Sequence, residues 1–369
     1  MINLYRLTGF LILIASQAIS ANNISFLNDV LPDSERGAFE LSISKAKFNK
    51  SLDILNYADE LTGTRPESAN IDEWSASYAF DNSLKITYAF NESNAKAIRP
   101  TIPKNLDTTA ESEYLSLSYD LFNTEKRSFN VEIFYTETDQ DDASIDCYET
   151  SNVVIGGSCA EADVKLLDAD IYKASGDRVY LPVLKTTARS EGKGLNLRIK
   201  NKINDSFNLY HTIGLREEEI FLNFVSPILN TTDSFLRGIR VNGVKTGELL
   251  DRFKNELPQQ TPWKERIYNY SANLTYGLSE SIALTARLSI IKVSRSGYEQ
   301  NPNKDDYTDN QLLDFGFFYE PHKNILLYTR LSLSTKYLVG LNSIAYNRKS
   351  NHLFDHPYGQ LYIGSLIRF

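Results

Sequence analysis

The amino-acid sequence predicts an all-β chain, a transmembrane antiparallel up-and-down β-barrel of about twelve strands with short periplasmic turns and long outer loops. Three observations predict it. Apolar and polar residues alternate with a period of two in about a dozen separate stretches, the mark of strands with one face in lipid and the other turned inward. Tight turns and longer polar segments join these stretches in strict alternation, as in barrels whose two rims differ. Beyond the first twenty residues no run approaches eighteen consecutive apolar residues, which excludes helical spans, yet the chain holds 22 Tyr and 19 Phe in 369 residues.

The chain opens with one basic residue, Arg6, an apolar run from Phe10 to Ala15, and the small residues Ala18 and Ser20 at the spacing of a cleavage site. Residues 1–20 are therefore expected to be a secretory signal peptide, too short in its apolar part to span a bilayer. A polar lead-in, 21–36, separates it from the expected barrel, 37–369.

Within the barrel, Phe39, Leu41 and Ile43 alternate with Glu40, Ser42 and Ser44. A polar loop containing Gly63, Pro66 and Ser68 leads to Trp74, Ala76, Tyr78 and Phe80, and the turn Asp81-Asn82-Ser83 to Leu84, Ile86, Tyr88 and Phe90. Leu115, Leu117, Tyr119 and Leu121 form the fourth alternation, and Asn123 to Lys126 turn it into Phe129, Val131, Ile133 and Tyr135. A long outer loop is expected at about 140–189. Leu195, Leu197 and Ile199 follow, then Asn204-Asp205 as a two-residue hairpin signal and the strand from Phe207 to Leu215. A second long loop, about 221–262, precedes strands from Tyr268 to Tyr276, from Ile282 to Leu288, from Leu313 to Tyr319 and from Ile325 to Leu333. The last alternation is Tyr358 to Phe369, with Leu366 the one apolar residue on its polar parity. An even strand number leaves both ends of the barrel on the short-turn side.

The last strand carries a specific pattern: Tyr362, Gly364 two places on, then hydrophobic Ile367 and Phe369. It resembles the terminal signal by which outer-membrane β-barrels are recognised for assembly. That resemblance implies a Gram-negative outer-membrane protein, surrounded by outer-membrane lipid and lipopolysaccharide and handed to the barrel-assembly machinery through its C-terminal strand. In size and strand number the chain is similar to porin-like channels and to the translocator barrels of autotransporters. With only 21–36 ahead of the first strand, the second comparison implies a solitary barrel without its own passenger.

Composition narrows the partners. The 39 basic residues are outnumbered by 47 acidic ones, a formal net charge of −8, which excludes nucleic acid as a ligand. The only two cysteines, Cys147 and Cys159, are close in sequence, and in an exported chain they are expected to form one disulfide worth about 3 kcal/mol. No histidine lies near them for a metal site and no C-x-x-C motif is present, so no cofactor is expected.

If the aromatic parity faces lipid, the other lines the lumen. Its acidic members are Glu40, Glu73, Asp120 and Glu132 in the first five strands; its basic ones, Arg198, Lys200, Lys202, Arg216, Arg287, Arg330, Lys336 and Arg368, come later, with Lys85 and Asp314 breaking the separation. A wall with a basic majority favours a small anionic solute, so a porin-like channel is expected. Two alternatives stay open: opposed charges hold the barrel shut, or the barrel is the scaffold of a surface adhesin or receptor acting through its long loops. In the second loop Leu249, Leu250, Phe253 and Leu257 share a helical face that would plug or cap the mouth, and Asp139, Asp141, Asp142 and Asp146 in the first read as a solvated acidic run.

Catalysis is not expected. His211 falls on the lipid-facing parity, as in outer-membrane phospholipase A, but the nucleophile position two residues on is Ile213. His352, Asp355 and His356 give a faint similarity to omptin-type proteases, and no G-x-S-x-G or H-E-x-x-H motif occurs.

Overall fold

The computed structural model describes residues 26–27, 37–49, 65–80, 83–99, 102–145, 147–150, 153–156, 184–225, 237, 240–241, 244–245, 247–248, 251, 262–297, 308–335 and 358–369. They form sixteen strands: β1 (Phe39–Asn49), β2 (Arg65–Ala79), β3 (Leu84–Arg99), β4 (Ile102–Asn123), β5 (Arg127–Ile145), β6 (Cys147–Thr150), β7 (Val153–Gly156), β8 (Leu184–Lys202), β9 (Phe207–Val225), β10 (Arg240–Val241), β11 (Val244–Lys245), β12 (Trp263–Gly277), β13 (Ile282–Ser296), β14 (Asp309–His322), β15 (Ile325–Ser334) and β16 (Tyr358–Arg368). Twelve of them close one antiparallel barrel in the order β1-β2-β3-β4-β5-β8-β9-β12-β13-β14-β15-β16, with β16 returning to β1. The other four make two small hairpins, β6–β7 and β10–β11, in the two longest connections.

The period-two alternation becomes two walls. On the outside, Phe39, Ile43, Trp74, Leu117, Ile133, Ile213, Tyr270, Phe315 and their neighbours form a continuous exposed apolar surface. Inside, Ser42, Ser44, Ser112, Thr212, Asn273, Ser289 and the charged residues are buried. A water-soluble sheet would put its apolar face in the core, so this inverted arrangement makes the outside a lipid-facing belt. Rings pair along that belt, as with Phe207 and Tyr276 at 4.5 Å and Trp74 and Tyr88 at 5.4 Å. No helix among the described residues is long and apolar enough to cross a membrane.

Closure depends on the first and last strands. Glu40 pairs in register with Arg368, Ser44 with Gly364 and Ala46 with Tyr362. At the periplasmic end the Phe369 N–H donates to the Phe39 carbonyl at 2.9 Å and the Phe39 N–H to that of Phe369 at 3.4 Å.

Several boundaries differ from the expected ones. The connection between β3 and β4 is not a long loop: the strands run on together to Arg99 and Ile102. β5 continues to Ile145, β8 begins at Leu184 and β9 ends at Val225, so both long loops start later or end earlier than expected. Pro66 and Ser68 lie in β2, at a register shift where proline cannot donate to the ladder. Above the lipid both faces of a strand are wet, so pairing continues without the alternation that reveals it. The expected two-residue hairpin at Asn204-Asp205 is the longer turn 203–206, in which the Asn204 side chain accepts from the N–H groups of Ser206 and Phe207, both at 2.9 Å. Lys202 lies 2.9 Å from Asp205 and holds that carboxyl below its usual range. Pro321 and His322 close β14, and only residues 323–324 turn the chain into β15.

Candidate functional site in the lumen

Every described lumenal candidate faces inward, and most are held in ion pairs across neighbouring strands. Glu132 on β5 accepts from Arg198 on β8 at 2.5 Å and from Asn196 at 2.7 Å. Register makes this inevitable: Asn196 stands opposite Glu132, and Arg198 is the next inward position along β8. Asp120 accepts from Asn130 at 2.7 Å. Arg216 lies 3.0 Å from Glu218, and the Lys200 ammonium sits 5.9 Å from the Tyr210 ring centroid.

Two clusters set two cations around one carboxylate. At the periplasmic rim Glu40 is bonded by Lys85 at 2.6 Å and Arg368 at 3.1 Å. Deeper in, Asp314 on β14 accepts from Arg287 on β13 at 2.9 Å and from Arg330 on β15 at 2.8 and 3.0 Å. Glu73 faces this second cluster from β2 and acts electrostatically on Arg330. Asp314 and Arg330 are almost fully buried, at 0% and 1% exposure, so neither charge would be tolerated there without the other.

Sequence reasoning missed a third group. Glu265 on β12 accepts from Arg295 on β13 at 2.8 Å and from the Trp263 indole at 3.3 Å, all buried toward the outer rim. With Glu218 it places carboxylates in the later strands, so the expected division into an acidic and a basic side does not hold. Near that rim both parities carry charge, as in Glu217-Glu218-Glu219 and Lys264-Glu265-Arg266, and alternation no longer separates inside from outside.

The second missed feature is an occupant. Phe26 and Leu27, from the polar lead-in, are buried at 0% and 3% exposure in a cluster with Phe318, Leu326, Tyr328 and Leu366. All four partners lie on the inward parity of β14, β15 and β16, near the periplasmic end. Phe26 stacks on Phe318 at 5.9 Å and receives the guanidiniums of Arg330 and Arg287 at 4.6 and 5.1 Å from its ring centroid.

The terminal-strand residues divide between the faces. Tyr362 points inward beneath Arg330, 5.0 Å from its ring centroid, and Gly364 lies on the inward side against the Tyr328 ring. Ile367 and Phe369 belong to the outer parity, with Phe369 the more exposed. Of the histidines, His211 lies outside and contacts the Tyr270 hydroxyl at 2.9 Å. His322 accepts from the Asn324 N–H at 3.3 Å in the β14–β15 turn.

Some expectations fall outside the described residues: the signal peptide, Lys336, Cys159, Leu249, Leu250, Phe253, Leu257, and the group His352, Asp355 and His356. Cys147 begins β6, paired opposite Gly156 of β7. Gly247, Glu248 and Asp251 are helical, and Arg237 binds Asp251 at 2.7 and 2.9 Å.

No protein-family model matches the chain, and no curated protein matches it by sequence. Solved structures do. The translocator domain of the autotransporter NalP from Neisseria meningitidis is similar over 95% of this chain and 95% of its own, with 9% identity and a TM-score of 0.53. The NanC porin covers 89% of this chain and 98% of its own at 7% identity and a TM-score of 0.41. The toluene transporter TodX of Pseudomonas putida covers 96% and 94% at 10% identity and a TM-score of 0.42. The first of these likenesses shows the fold, and with the lipid-facing belt it makes this chain a twelve-stranded transmembrane β-barrel.

Proposed function

We propose that the protein is a channel of the Gram-negative outer membrane for small anionic solutes. The observation that carries this reading is the lumen itself: it holds a piece of polypeptide, Phe26–Leu27, against one wall, so it is wider than a barrel filled by its own side chains. Its wall is polar and charged, and the Glu40 and Asp314 clusters each gather two cations on one carboxylate. Arg198, Lys200, Arg216, Arg287, Arg330 and Arg368 give the wall its cationic groups, and Glu73, Asp120 and Glu132 balance them. The test is swelling of liposomes containing the refolded protein. Salts of a sugar acid should enter faster than a neutral sugar of equal size, and that preference should reverse with Arg198, Arg287 and Arg330 changed to Glu. Equal entry of both solutes in both proteins would remove the anionic specificity.

The surrounding biology follows from the same reading. Residues 1–20 direct export, Tyr362, Gly364, Ile367 and Phe369 present the last strand to the barrel-assembly machinery, and lipopolysaccharide meets the outer belt. Cys147 and Cys159 close one small loop outside, which mass analysis before and after reduction would detect. No catalytic role is assigned.

A second reading has one observation in its favour. Phe26 and Leu27, which precede β1 in the sequence, lie inside the lumen, as they would in a translocator that passes its own N-terminal part outward. An epitope inserted after Asn23 should then be accessible on intact cells, whereas a solute channel keeps it internal.

A further inference from the structure

We propose that Phe26 and Leu27 form a built-in stopper, seated in a dedicated niche of the lumen wall, and that the barrel conducts when this pair leaves the niche. The proposal rests on the channel reading above. Its evidence is a match between two apolar surfaces, one on the segment and one on the wall. Phe26 and Leu27 are adjacent apolar residues between Ser25 and Asn28 in the lead-in. Leu366, Leu326 and Phe318 are apolar and lie on the inward parity near the periplasmic end, apart from the other apolar inward cluster, Ile267, Ile291, Val293 and Leu312, whose side chains pack on one another. Each set would expose apolar surface to a wet lumen if the other were absent, and together they bury one another.

The niche is shaped for its occupant. Gly316 on β14 has no side chain, and a Cβ there would stand 2.6 Å from Thr285, 2.8 Å from the Phe26 ring and 2.9 Å from Phe318, so wall and occupant close on the same bare position. The Arg287 and Arg330 guanidiniums, held in place by Asp314, lie against the same ring and form the roof of the seat. Glu73 faces Arg330 from across the wall, so the roof is part of a charge-balanced group rather than a free cationic patch. This roof also fixes how deep the stopper goes, since the ion cluster lies directly beyond it on the outward side.

The attachment is also short enough to release. Among the described residues two buried side chains hold the segment, and the nine residues 28–36 join it to Gly37 at the periplasmic end of β1. A chain of that length reaches roughly 30 Å when extended, enough to carry Phe26 out through the near mouth without disturbing a strand.

The experiment uses the mature full chain in planar bilayers, with the variants Phe26→Ala and Leu366→Gln. The second replaces one apolar residue of the niche by a polar one of similar size and leaves the stopper intact. Both should raise the open fraction by about tenfold or more, the scale expected for losing one buried ring or leucine. A second readout does not depend on conduction. In a chain with both native cysteines changed to Ser, Leu27→Cys should react slowly with a membrane-impermeant maleimide, and quickly once Phe26→Ala is added. Equal open fractions in all three proteins, or equally fast labelling with and without Phe26, would overturn the stopper. If every variant is silent while Leu27→Cys stays shielded by Phe26, the channel reading falls and the gate falls with it, leaving only a seat.

Discussion

Arg330 lies between Asp314, which it binds at 2.8 and 3.0 Å, and the Phe26 ring, whose centroid is 4.6 Å from its guanidinium carbon. One side chain thus joins the ion cluster of the barrel wall to the segment that occupies the lumen. Its charge is compensated on one side and its face covered on the other, which is why it tolerates 1% exposure.

Removing the carboxylate from this arrangement should be costly. Asp314→Ala leaves Arg287 and Arg330 buried side by side and should destabilise the folded barrel by about 3–5 kcal/mol. Urea titration in lipid vesicles, followed by Trp fluorescence, measures it. A loss well under 1 kcal/mol would mean that water already solvates the two guanidiniums.

The Glu265–Arg295 pair offers a sharper test of what buried ion pairs contribute. Arg295→Met alone should cost about 3–5 kcal/mol, because it strands the Glu265 carboxylate. The double change Glu265→Met with Arg295→Met should recover most of that loss. A double variant as unstable as the single one would show that the pair also organises its surroundings, including Trp263 at 3.3 Å.

Lipid exposure of the outer belt has its own signature. Ile133 is 56% exposed on the outward parity of β5, and Ile133→Arg near mid-bilayer should cost about 2–4 kcal/mol. Ser112→Arg, on the inward parity of β4, should cost less because its charge meets a polar lumen. The same vesicle titration reads both, and equal losses would contradict the assignment of faces.

Closure of the barrel should depend on its last residue. Deleting Phe369 removes the backbone bonds to Phe39 at 2.9 and 3.4 Å and the ring contact at 5.9 Å. The expected result is slower assembly in cells, seen as a smaller heat-modifiable folded fraction on gels. Phe369→Ala, which keeps the backbone bonds, should fall between the deletion and the native chain.

Much of the fold was legible in the sequence because lipid on one side and a polar lumen on the other impose a strict period of two. Residues such as Ile133 and Glu132, or Leu288 and Arg287, declare their faces by chemistry alone. That legibility stops where the lipid stops. Glu92, Asn94 and Thr109 belong to the long β3–β4 hairpin, but both of their faces meet water and nothing in their order marks a strand. The same physics hid Glu218, Glu265 and Arg295 among charged neighbours of the opposite parity. Phe26 was hidden for a different reason: the apolar residues of the lead-in, Ile24, Phe26, Leu27, Val30 and Leu31, do not follow the period of two that marks a strand. The visible trace was Leu366, apolar on an inward parity, and it has meaning only with Phe26 beside it.

The central claim is that this barrel conducts anions through its charged lumen, and single-channel recording tests it most directly. The refolded Phe26→Ala protein would be recorded in a planar bilayer under a potassium chloride gradient. The account predicts steady unitary steps with an anion-selective reversal potential, shifting toward cations when Arg287 and Arg330 become Glu. A folded, inserted barrel that stays silent, or one whose reversal potential ignores those two charge reversals, would contradict it.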